Sequence, residues 1–275
     1  MPLRTADEYR NGLEDGRTLF YRGQRVANVN EVPALRVAVD HAAHDFDLVN
    51  DPAFRELAVV TDPETGQEHS TYYKIPRNAD DLLQRMRLID ASTAEGGTVV
   101  TLIKEIGTDA TFALLRKLEG EARAKVQAFH DHCRDNDLAV AVAQTDVKGD
   151  RSVGPSKQAD PDLYVHVVSE NADGIVVRGA KCHTTSSANA DELIVLPTRA
   201  MGPGDEDYAV AFAVPIDTPG LELYVSSYSG REHNEFEFPL SSNHKLLETL
   251  TVFNDVFVPW DRVFLCREPE LAGAV

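Results

Sequence analysis

The sequence predicts an α+β protein in which a mainly helical N-terminal domain, residues 1–136, precedes an antiparallel β-barrel or β-sandwich domain, residues 137–275. Two observations support this division. In the first part, apolar residues recur at helical spacing, as Leu35, Val39 and Ala42 do. In the second part, short apolar runs alternate with polar residues and are separated by turn residues, which is typical of antiparallel strands.

The N-terminal part contains start and stop signals for several helices. Thr5 can cap the first helix in a capping box with Glu8, and Gly16 closes that segment. Residues 61–66 form a turn signal between two extended pieces. We therefore predict helices over 5–17, 34–46, 80–91, 98–118 and 119–135, and a short strand or hairpin over 18–26.

The C-terminal part contains a hairpin signal, because the turn residues 171–174 separate two apolar runs. The chain has no GxGxxG and no GxxxxGK[ST] pattern, so neither a Rossmann site nor a P-loop is predicted. Strands are predicted over 138–143, 163–168, 175–178, 193–196, 208–214, 221–225 and 250–258.

Composition and charge exclude several classes of protein. The net charge of −18 disfavours nucleic acid and anionic lipid as partners. No apolar run approaches the roughly 20 residues that span a bilayer, and the N-terminus lacks the apolar core of a signal peptide. The three cysteines are far apart and form no CxxC pair, so no disulfide framework is predicted. A cytoplasmic location is expected.

The most informative segment is the polar run from Gln144 to Ser152, which opens directly out of the predicted strand 138–143. A second polar run, residues 179–185, lies further along in the β-rich part. A flavin ring needs an apolar wall and a few fixed hydrogen-bond donors, and a strand followed by such a turn can supply both. By itself, the local pattern favours a polar turn with solvated charges.

Taken together, segments 144–152 and 179–185 resemble the two flavin-facing segments of the 4-hydroxyphenylacetate 3-hydroxylase / 4-hydroxybutyryl-CoA dehydratase flavoprotein family. Four further segments are similar to the family in the right order, so the resemblance covers essentially the whole chain. These four segments are 5–26, 73–77, 136–138 and 255–264.

The resemblance implies an acyl-CoA-dehydrogenase-like fold without the C-terminal helical domain that completes the pockets of family members. It implies FAD as cofactor, with FADH2 as the working form. Thr185 corresponds to the family threonine expected near the flavin N5 atom. The cofactor-binding residues that the resemblance implies are Gln144, Thr145, Lys148, Arg151, Ser152 and Thr185.

Two sets of residues depart from the family pattern. In the dehydratase branch, cysteines hold a [4Fe–4S] cluster, which requires thiolates, and the aligned positions here are Thr101 and Glu105. We therefore expect no iron–sulfur cluster. In the hydroxylase branch, an arginine, a tyrosine and a histidine hold a phenol, and the aligned positions are Thr108, Phe112 and Val142. The resemblance alone thus leaves the reaction open.

Three functions remain as hypotheses. The preferred one is an FAD-dependent oxidoreductase, namely a reduced-flavin-dependent monooxygenase that works with a separate flavin reductase. The second is a flavin-dependent acyl-CoA dehydratase or isomerase without the cluster cysteines, and the third is a non-catalytic auxiliary subunit. The substrate is expected to be a small aromatic compound or an acyl-CoA. His183 and Glu105 are the candidate acids or bases, since burial beside a flavin would raise the pKa of Glu105.

Assembly and metal binding are the remaining expectations. A homo-oligomer is expected, and a second polypeptide is a candidate source of the C-terminal helical domain. His41 and His44 form an i,i+3 pair that can bind zinc on a helix, but no third ligand motif follows in sequence. The pair is therefore interpreted as part of a solvated helix face, and no metal site is predicted.

Overall fold

A computed structural model describes residues 3–97, 99–198, 201–227 and 235–273. The helices are α1 (Ala6–Gly12), α2 (Pro33–Leu48), α3 (Arg55–Ala58), α4 (Ala79–Glu95), α5 (Glu105–Lys117), α6 (Gly120–Asp135) and α7 (Pro269–Ala272). The strands are β1 (Thr18–Tyr21), β2 (Gln24–Val26), β3 (Val59–Thr61), β4 (Glu68–Ser70), β5 (Val140–Ala143), β6 (His166–Glu170), β7 (Gly174–Thr185), β8 (Glu192–Val195), β9 (Val210–Pro215), β10 (Leu221–Val225), β11 (Glu248–Pro259) and β12 (Val263–Cys266).

The predicted helices are confirmed in position, with two differences at their ends. The capping box at the start of α1 is present, because Thr5 Oγ1 accepts from the backbone N–H of Glu8 at 3.1 Å and the Glu8 carboxylate accepts from the Thr5 N–H at 2.8 Å. That helix ends at Gly12 rather than at residue 17. The helix predicted from residue 98 begins only at Glu105, because Leu102 has a positive φ of 53° that a right-handed helix cannot accommodate.

Most strands lie in two sheets. A six-stranded sheet has the order β2-β1-β10-β11-β7-β6, and a four-stranded sheet has the order β12-β9-β8-β5. Neighbouring strands are antiparallel except for two parallel pairs, β1 with β10 and β5 with β8. The predicted hairpin 18–26 therefore pairs with a strand of the C-terminal part. The division of the chain into domains at residue 136 stays a prediction.

The four-stranded sheet is buried on both faces. Along β5, Ala141 and Ala143 face a core shared with α1, α2 and the six-stranded sheet. Val140 and Val142 face a second core, which contains residues of α5 and α6. The strand alternates between two apolar environments, so all four of its residues are apolar and buried. The turn that leaves β5 therefore starts from a fixed position.

Among the described residues, no helix is both long and apolar enough to cross a membrane.

Close packing of α5 on β5 depends on Gly107. A Cβ atom added to Gly107 would lie 2.4 Å from Val140 Cβ and 2.6 Å from the Val140 carbonyl oxygen. We expect Gly107→Ala to lower the free energy of unfolding by about 1–3 kcal/mol, because the helix must move off the strand. Urea unfolding measures this, with Gly202→Ala as the control, since a Cβ at Gly202 meets no atom within 4 Å. Equal stability of both variants would contradict the packing argument.

Candidate functional site

The turn after β5 is held in place by a buried lysine. Lys181 Nζ donates to the Gln144 carbonyl at 2.9 Å, to Asp146 Oδ1 at 2.5 Å and to the Leu196 carbonyl at 2.8 Å. These three bonds use all the donors of an ammonium group. Burial lowers the pKa of Lys181, and the carboxylate of Asp146 opposes that shift. The backbone N–H of Cys182 also donates to the Thr145 carbonyl at 2.9 Å, so the turn is fixed to β7.

A cleft of about 280 Å³ lies over this turn. Two cations line it, Lys148 and Arg151, together with the hydroxyl-bearing side chains of Thr145 and Tyr164. A cleft of this size is near the lower end of the range for small-molecule sites, so it can hold one part of a larger ligand. The complete lining is Thr145, Asp146, Val147, Lys148, Gly149, Arg151, Tyr164 and Thr198.

The structure brings some of the predicted cofactor residues together and gives others different neighbours. Thr145, Lys148 and Arg151 line the same cleft. The Gln144 residue is exposed, and its carbonyl is the group that contacts Lys181. Ser152 is exposed and forms a local turn, in which its hydroxyl donates to Asp150 Oδ1 at 2.6 Å. A role for any of them in cofactor binding stays a prediction.

Thr185 lies at the end of β7 beside a carboxylate with a free oxygen. Its hydroxyl donates to Glu248 Oε1 at 2.8 Å, and the two residues are register partners between β7 and β11. The other oxygen, Glu248 Oε2, is buried without a hydrogen-bond partner among the described residues. Such an atom is costly to bury, so it is suited to accept from a ligand N–H or O–H group.

Cys182 lies next to Lys181 on β7. Burial and the charge of Glu248 raise the pKa of the Cys182 thiol, whereas the charge of Lys148 lowers it. Glu248 and Lys148 therefore both act on one side chain of β7. His183, the next residue, is exposed on the same strand. Its role in proton transfer stays a prediction.

Glu105, the other predicted acid or base, lies in a buried polar cluster at the start of α5. Thr101 Oγ1 lies 2.6 Å from Asp45 Oδ2 and 3.0 Å from Glu105 Oε1. A hydroxyl has a single hydrogen, so Thr101 can donate to only one of the two carboxyl groups. Both contacts are satisfied when Glu105 is protonated and donates to Thr101, which in turn donates to Asp45.

Electrostatics favour this protonation state. Burial, followed by the charge of Asp45, raises the pKa of Glu105 from 4.5 to about 7. Burial also raises the pKa of Asp45, whose carboxylate accepts from Ser92 Oγ at 2.5 Å. A carboxyl group with a pKa near 7 can both donate and accept a proton at neutral pH.

A larger cleft of about 760 Å³ borders the same helix. Arg85 connects it to the carboxyl cluster, because its guanidinium donates to the Glu105 carbonyl at 2.9 Å and to Thr108 Oγ1 at 2.9 Å. Four arginines make the lining basic in a chain whose overall charge is strongly negative. The lining is Ile75, Pro76, Arg77, Asn78, Leu82, Arg85, Asp109, Phe112, Leu115, Arg116 and Arg123.

Three residues on which these sites depend were not predicted from sequence, namely Lys181, Glu248 and Asp45. Lys181 in β7 and Asp45 in α2 are buried charged residues, and Glu248 at the start of β11 is a half-buried one. Such a charge within a strand or helix is the signal that could have identified them, because a buried charge is retained only with partners.

The chain resembles known proteins over nearly its whole length. The sequence profile described as "4-hydroxyphenylacetate 3-hydroxylase N terminal" matches residues 5–265. The chain is 34% identical over 286 residues to the 4-hydroxybutyryl-CoA dehydratase/vinylacetyl-CoA-Delta-isomerase of Clostridium aminobutyricum, covering 98% of this chain and 57% of that protein. It is also 34% identical over 275 residues to the 4-hydroxyphenylacetate 3-monooxygenase oxygenase component of Thermus thermophilus, covering 98% and 56%.

Solved structures agree with these relatives. An archaeal 4-hydroxybutyryl-CoA dehydratase from N. maritimus superposes with a TM-score of 0.90 at 27% identity, covering 99% of this chain and 56% of that one. The oxygenase component of 4-hydroxyphenylacetate 3-monooxygenase complexed with FAD gives a TM-score of 0.87 at 32% identity, covering 98% and 56%. The predicted acyl-CoA-dehydrogenase-like α+β fold is confirmed. The chain spans about half the length of these relatives.

The raised pKa of Glu105 predicts a pH-dependent stability. In the unfolded chain this carboxyl ionises near pH 4.5, and in the folded protein near pH 7. Between these values the folded state binds more protons, so its free energy of unfolding falls as the pH rises. We expect the decrease in the free energy of unfolding between pH 4.5 and pH 7.5 to be smaller by roughly 1–3 kcal/mol in Glu105→Gln than in the unmodified protein. Urea unfolding at pH 4.5 and pH 7.5 tests this, with Glu95→Gln as control, and parallel curves for Glu105→Gln and the unmodified protein would refute the assignment.

Proposed function

This chain belongs to the 4-hydroxyphenylacetate 3-hydroxylase family. We propose that it is part of an FAD-dependent oxidoreductase, specifically a reduced-flavin-dependent monooxygenase. The observation that carries the proposal is the Lys181-anchored turn, which presents Thr145, Lys148 and Arg151 in one cleft beside β7. A solvated turn would need no buried lysine to hold it. A turn that must present donors to a ligand does need such support.

The residues of this site fit a reduced flavin. Glu248 Oε2 is an orphaned buried acceptor, and the rings of a reduced flavin carry N–H groups that can donate to it. Thr185 and Thr145 offer hydroxyl groups, and β5 offers an apolar wall. Lys148 and Arg151 supply positive charge for a pyrophosphate or for the anionic form of the ring. We therefore assign Thr145, Lys148, Arg151, Thr185 and Glu248 to cofactor binding.

When bound, FADH2 supplies the two electrons that activate dioxygen for transfer of one oxygen atom to the substrate. The protein's part is to orient the ring, exclude water and manage protons. The bond between Thr185 and Glu248 fixes the threonine hydroxyl, so that it has one preferred orientation toward a ligand. Lys181 keeps the turn from moving away from β7.

Proton transfer is assigned to Glu105 and to His183. Glu105 has the pKa of a group that is partly ionised at neutral pH, and Thr101 links it to Asp45 as a proton relay.

The basic cleft lined by Arg85 and Arg116 suits a substrate with a carboxylate or phosphate group. Both a small aromatic acid and an acyl-CoA have such a group.

A second candidate function is a flavin-dependent acyl-CoA dehydratase or isomerase. The observation that favours it is the TM-score of 0.90 with an archaeal 4-hydroxybutyryl-CoA dehydratase. The aligned cluster positions argue against the iron–sulfur version of that chemistry, because neither Thr101 nor Glu105 offers a thiolate. Thr101 instead bonds to Glu105 and to Asp45. An auxiliary, non-catalytic subunit is the third candidate, and the cofactor test below distinguishes it.

The proposed partners follow from the monooxygenase assignment. A separate flavin reductase would supply FADH2, and the relatives include an FADH(2)-dependent monooxygenase of Burkholderia cepacia, which is 26% identical. Homo-oligomerisation, a second polypeptide that completes the pocket and a cytoplasmic location remain parts of the proposal.

Binding of reduced FAD tests the cofactor site. We expect Thr185→Ala and Lys148→Ala each to weaken binding about tenfold, because each removes one hydrogen bond or charge contact of about 1.4 kcal/mol. Anaerobic titration followed by flavin fluorescence measures the affinity. The control for Lys148→Ala is Lys157→Ala, an exposed lysine that does not line the cleft. Thr185→Ser keeps the hydroxyl and should retain binding.

Turnover distinguishes the candidate functions. With a flavin reductase, NADH and oxygen, a monooxygenase forms hydroxylated 4-hydroxyphenylacetate or a related aromatic product. A dehydratase instead consumes 4-hydroxybutyryl-CoA without oxygen. If neither oxidised nor reduced FAD binds, and Thr185→Ala changes nothing, the flavoenzyme proposal fails in favour of the auxiliary subunit.

A further inference from the structure

Three histidines lie close together next to the carboxyl cluster, two of them on one helix and the third from a distant part of the chain. His41 and His44 lie on α2, and His244 lies in the segment that precedes β11. One ligand nitrogen from each residue lies within 4.8 Å of the other two. The interpretation of His41 as part of a solvated helix face is wrong, since this residue is only 1% exposed. The spacing of residues in the sequence could not identify His244 as the third member of this cluster.

The hydrogen bonding of His41 selects one ring nitrogen as a free acceptor. Its Nε2 lies 3.3 Å from the Val100 carbonyl oxygen, and a carbonyl can only accept, so Nε2 carries the proton. In the neutral ring Nδ1 then has a lone pair, and Nδ1 is buried without a hydrogen-bond partner among the described residues. A ring that donates to a backbone carbonyl through one nitrogen and binds a metal through the other is the usual arrangement of metal-ligating histidines.

His244 shows the same feature independently. Its Nδ1 is also buried and has no hydrogen-bond partner among the described residues. Two orphaned imidazole nitrogens in one cluster are hard to explain by packing alone, because each unsatisfied group costs free energy.

The backbone makes room for the third ring. A Cβ added at Gly97 would lie 2.3 Å from the His244 ring, and Gly97 has a positive φ of 68°. Only glycine allows the α4–α5 connection to pass this closely. The three ring centroids lie 5.4 Å (His41 to His244), 6.1 Å (His41 to His44) and 6.3 Å (His44 to His244) apart.

We propose that His41, His44 and His244 form a binding site for a divalent transition metal of the zinc type, with a fourth position open to water or another ligand. Imidazole suits Zn²⁺, and three histidines with an open position are an established zinc ligand set. Zn–N bonds of about 2.0–2.1 Å require nitrogens about 3.3–3.4 Å apart, so binding would bring the ligand nitrogens closer by up to about 1.5 Å. This proposal replaces the expectation of no metal site.

A metal bound at this site would link the segment before β11 to α2. His244 lies four residues before Glu248, whose carboxylate bonds to Thr185 in the proposed flavin site. Bound metal would therefore restrain the start of β11. The ligand set contains no cysteine, and it uses none of the positions aligned with the cluster cysteines, Thr101 and Glu105.

Titration with Zn²⁺ and Co²⁺ tests the proposal on the full chain, freed of metal by a chelator. We expect one equivalent of metal to bind, with the intense visible bands of four-coordinate Co²⁺ and a higher melting temperature. His44→Gln and His244→Gln, which alter partly exposed residues, should each weaken Zn²⁺ binding by at least about tenfold.

The matched control is His69→Gln, a half-buried histidine of β4 outside the cluster, which should bind metal as the unmodified chain does. Circular dichroism confirms that each variant is folded. The proposal is overturned if the double variant His44→Gln/His244→Gln is folded and still binds one equivalent with unchanged affinity. It is equally overturned if the unmodified chain binds no metal, or if His69→Gln loses binding to the same extent. Because these readouts need no flavin and no turnover, they do not depend on the proposed function.

Discussion

The buried ion pair between Lys104 and Asp137 is the constraint that positions the carboxyl cluster relative to the Lys181-anchored turn. Lys104 Nζ lies 2.7 Å from Asp137 Oδ1, and both side chains are almost fully excluded from solvent. The ammonium group also lies 3.9 Å from the centre of the Phe46 ring. An ion pair of this kind adds little net stability compared with an apolar pair, but loss of one partner leaves an uncompensated charge. It therefore selects one arrangement of the elements that carry it.

That arrangement fixes the start of α5 against the start of β5. Lys104 directly precedes Glu105, and Asp137 lies between α6 and β5, where the Val140 N–H donates to the Ile103 carbonyl at 2.9 Å. The carboxyl cluster thus lies near one end of β5, whereas the Lys181-anchored turn leaves from the other end. The four-residue strand between them is about 10 Å long, which follows from the rise of an extended chain.

Patterns among neighbouring residues predicted the helices and strands well. Contacts between residues that are distant in sequence could not be predicted from such patterns. The capping box of Thr5 and the strand Leu221–Val225 need only neighbouring residues, and both are present as predicted. The family resemblance identified Thr145, Lys148 and Arg151, which do line one cleft. Lys181, Glu248 and His244 could not be paired with their partners from sequence, because strand pairing and helix packing bring those partners together. The late start of α5 was missed because helix propensity says nothing of a single residue with positive φ.

The buried charges also bear on the reaction. Asp45 and Glu105 are two buried carboxyl groups joined by one hydroxyl, so they cannot both be ionised without a large cost. A protein that needed only stability would fill this space with apolar side chains. A shared proton between two carboxyl groups is instead what a site requires when it must give or take one proton near neutral pH. The family resemblance makes two positions of this region, Thr101 and Glu105, correspond to the cluster cysteines of the dehydratase branch, and neither side chain offers a thiolate. The proposed oxygenation needs no thiolate ligands, whereas cluster-dependent dehydration does, so these residues support the proposal.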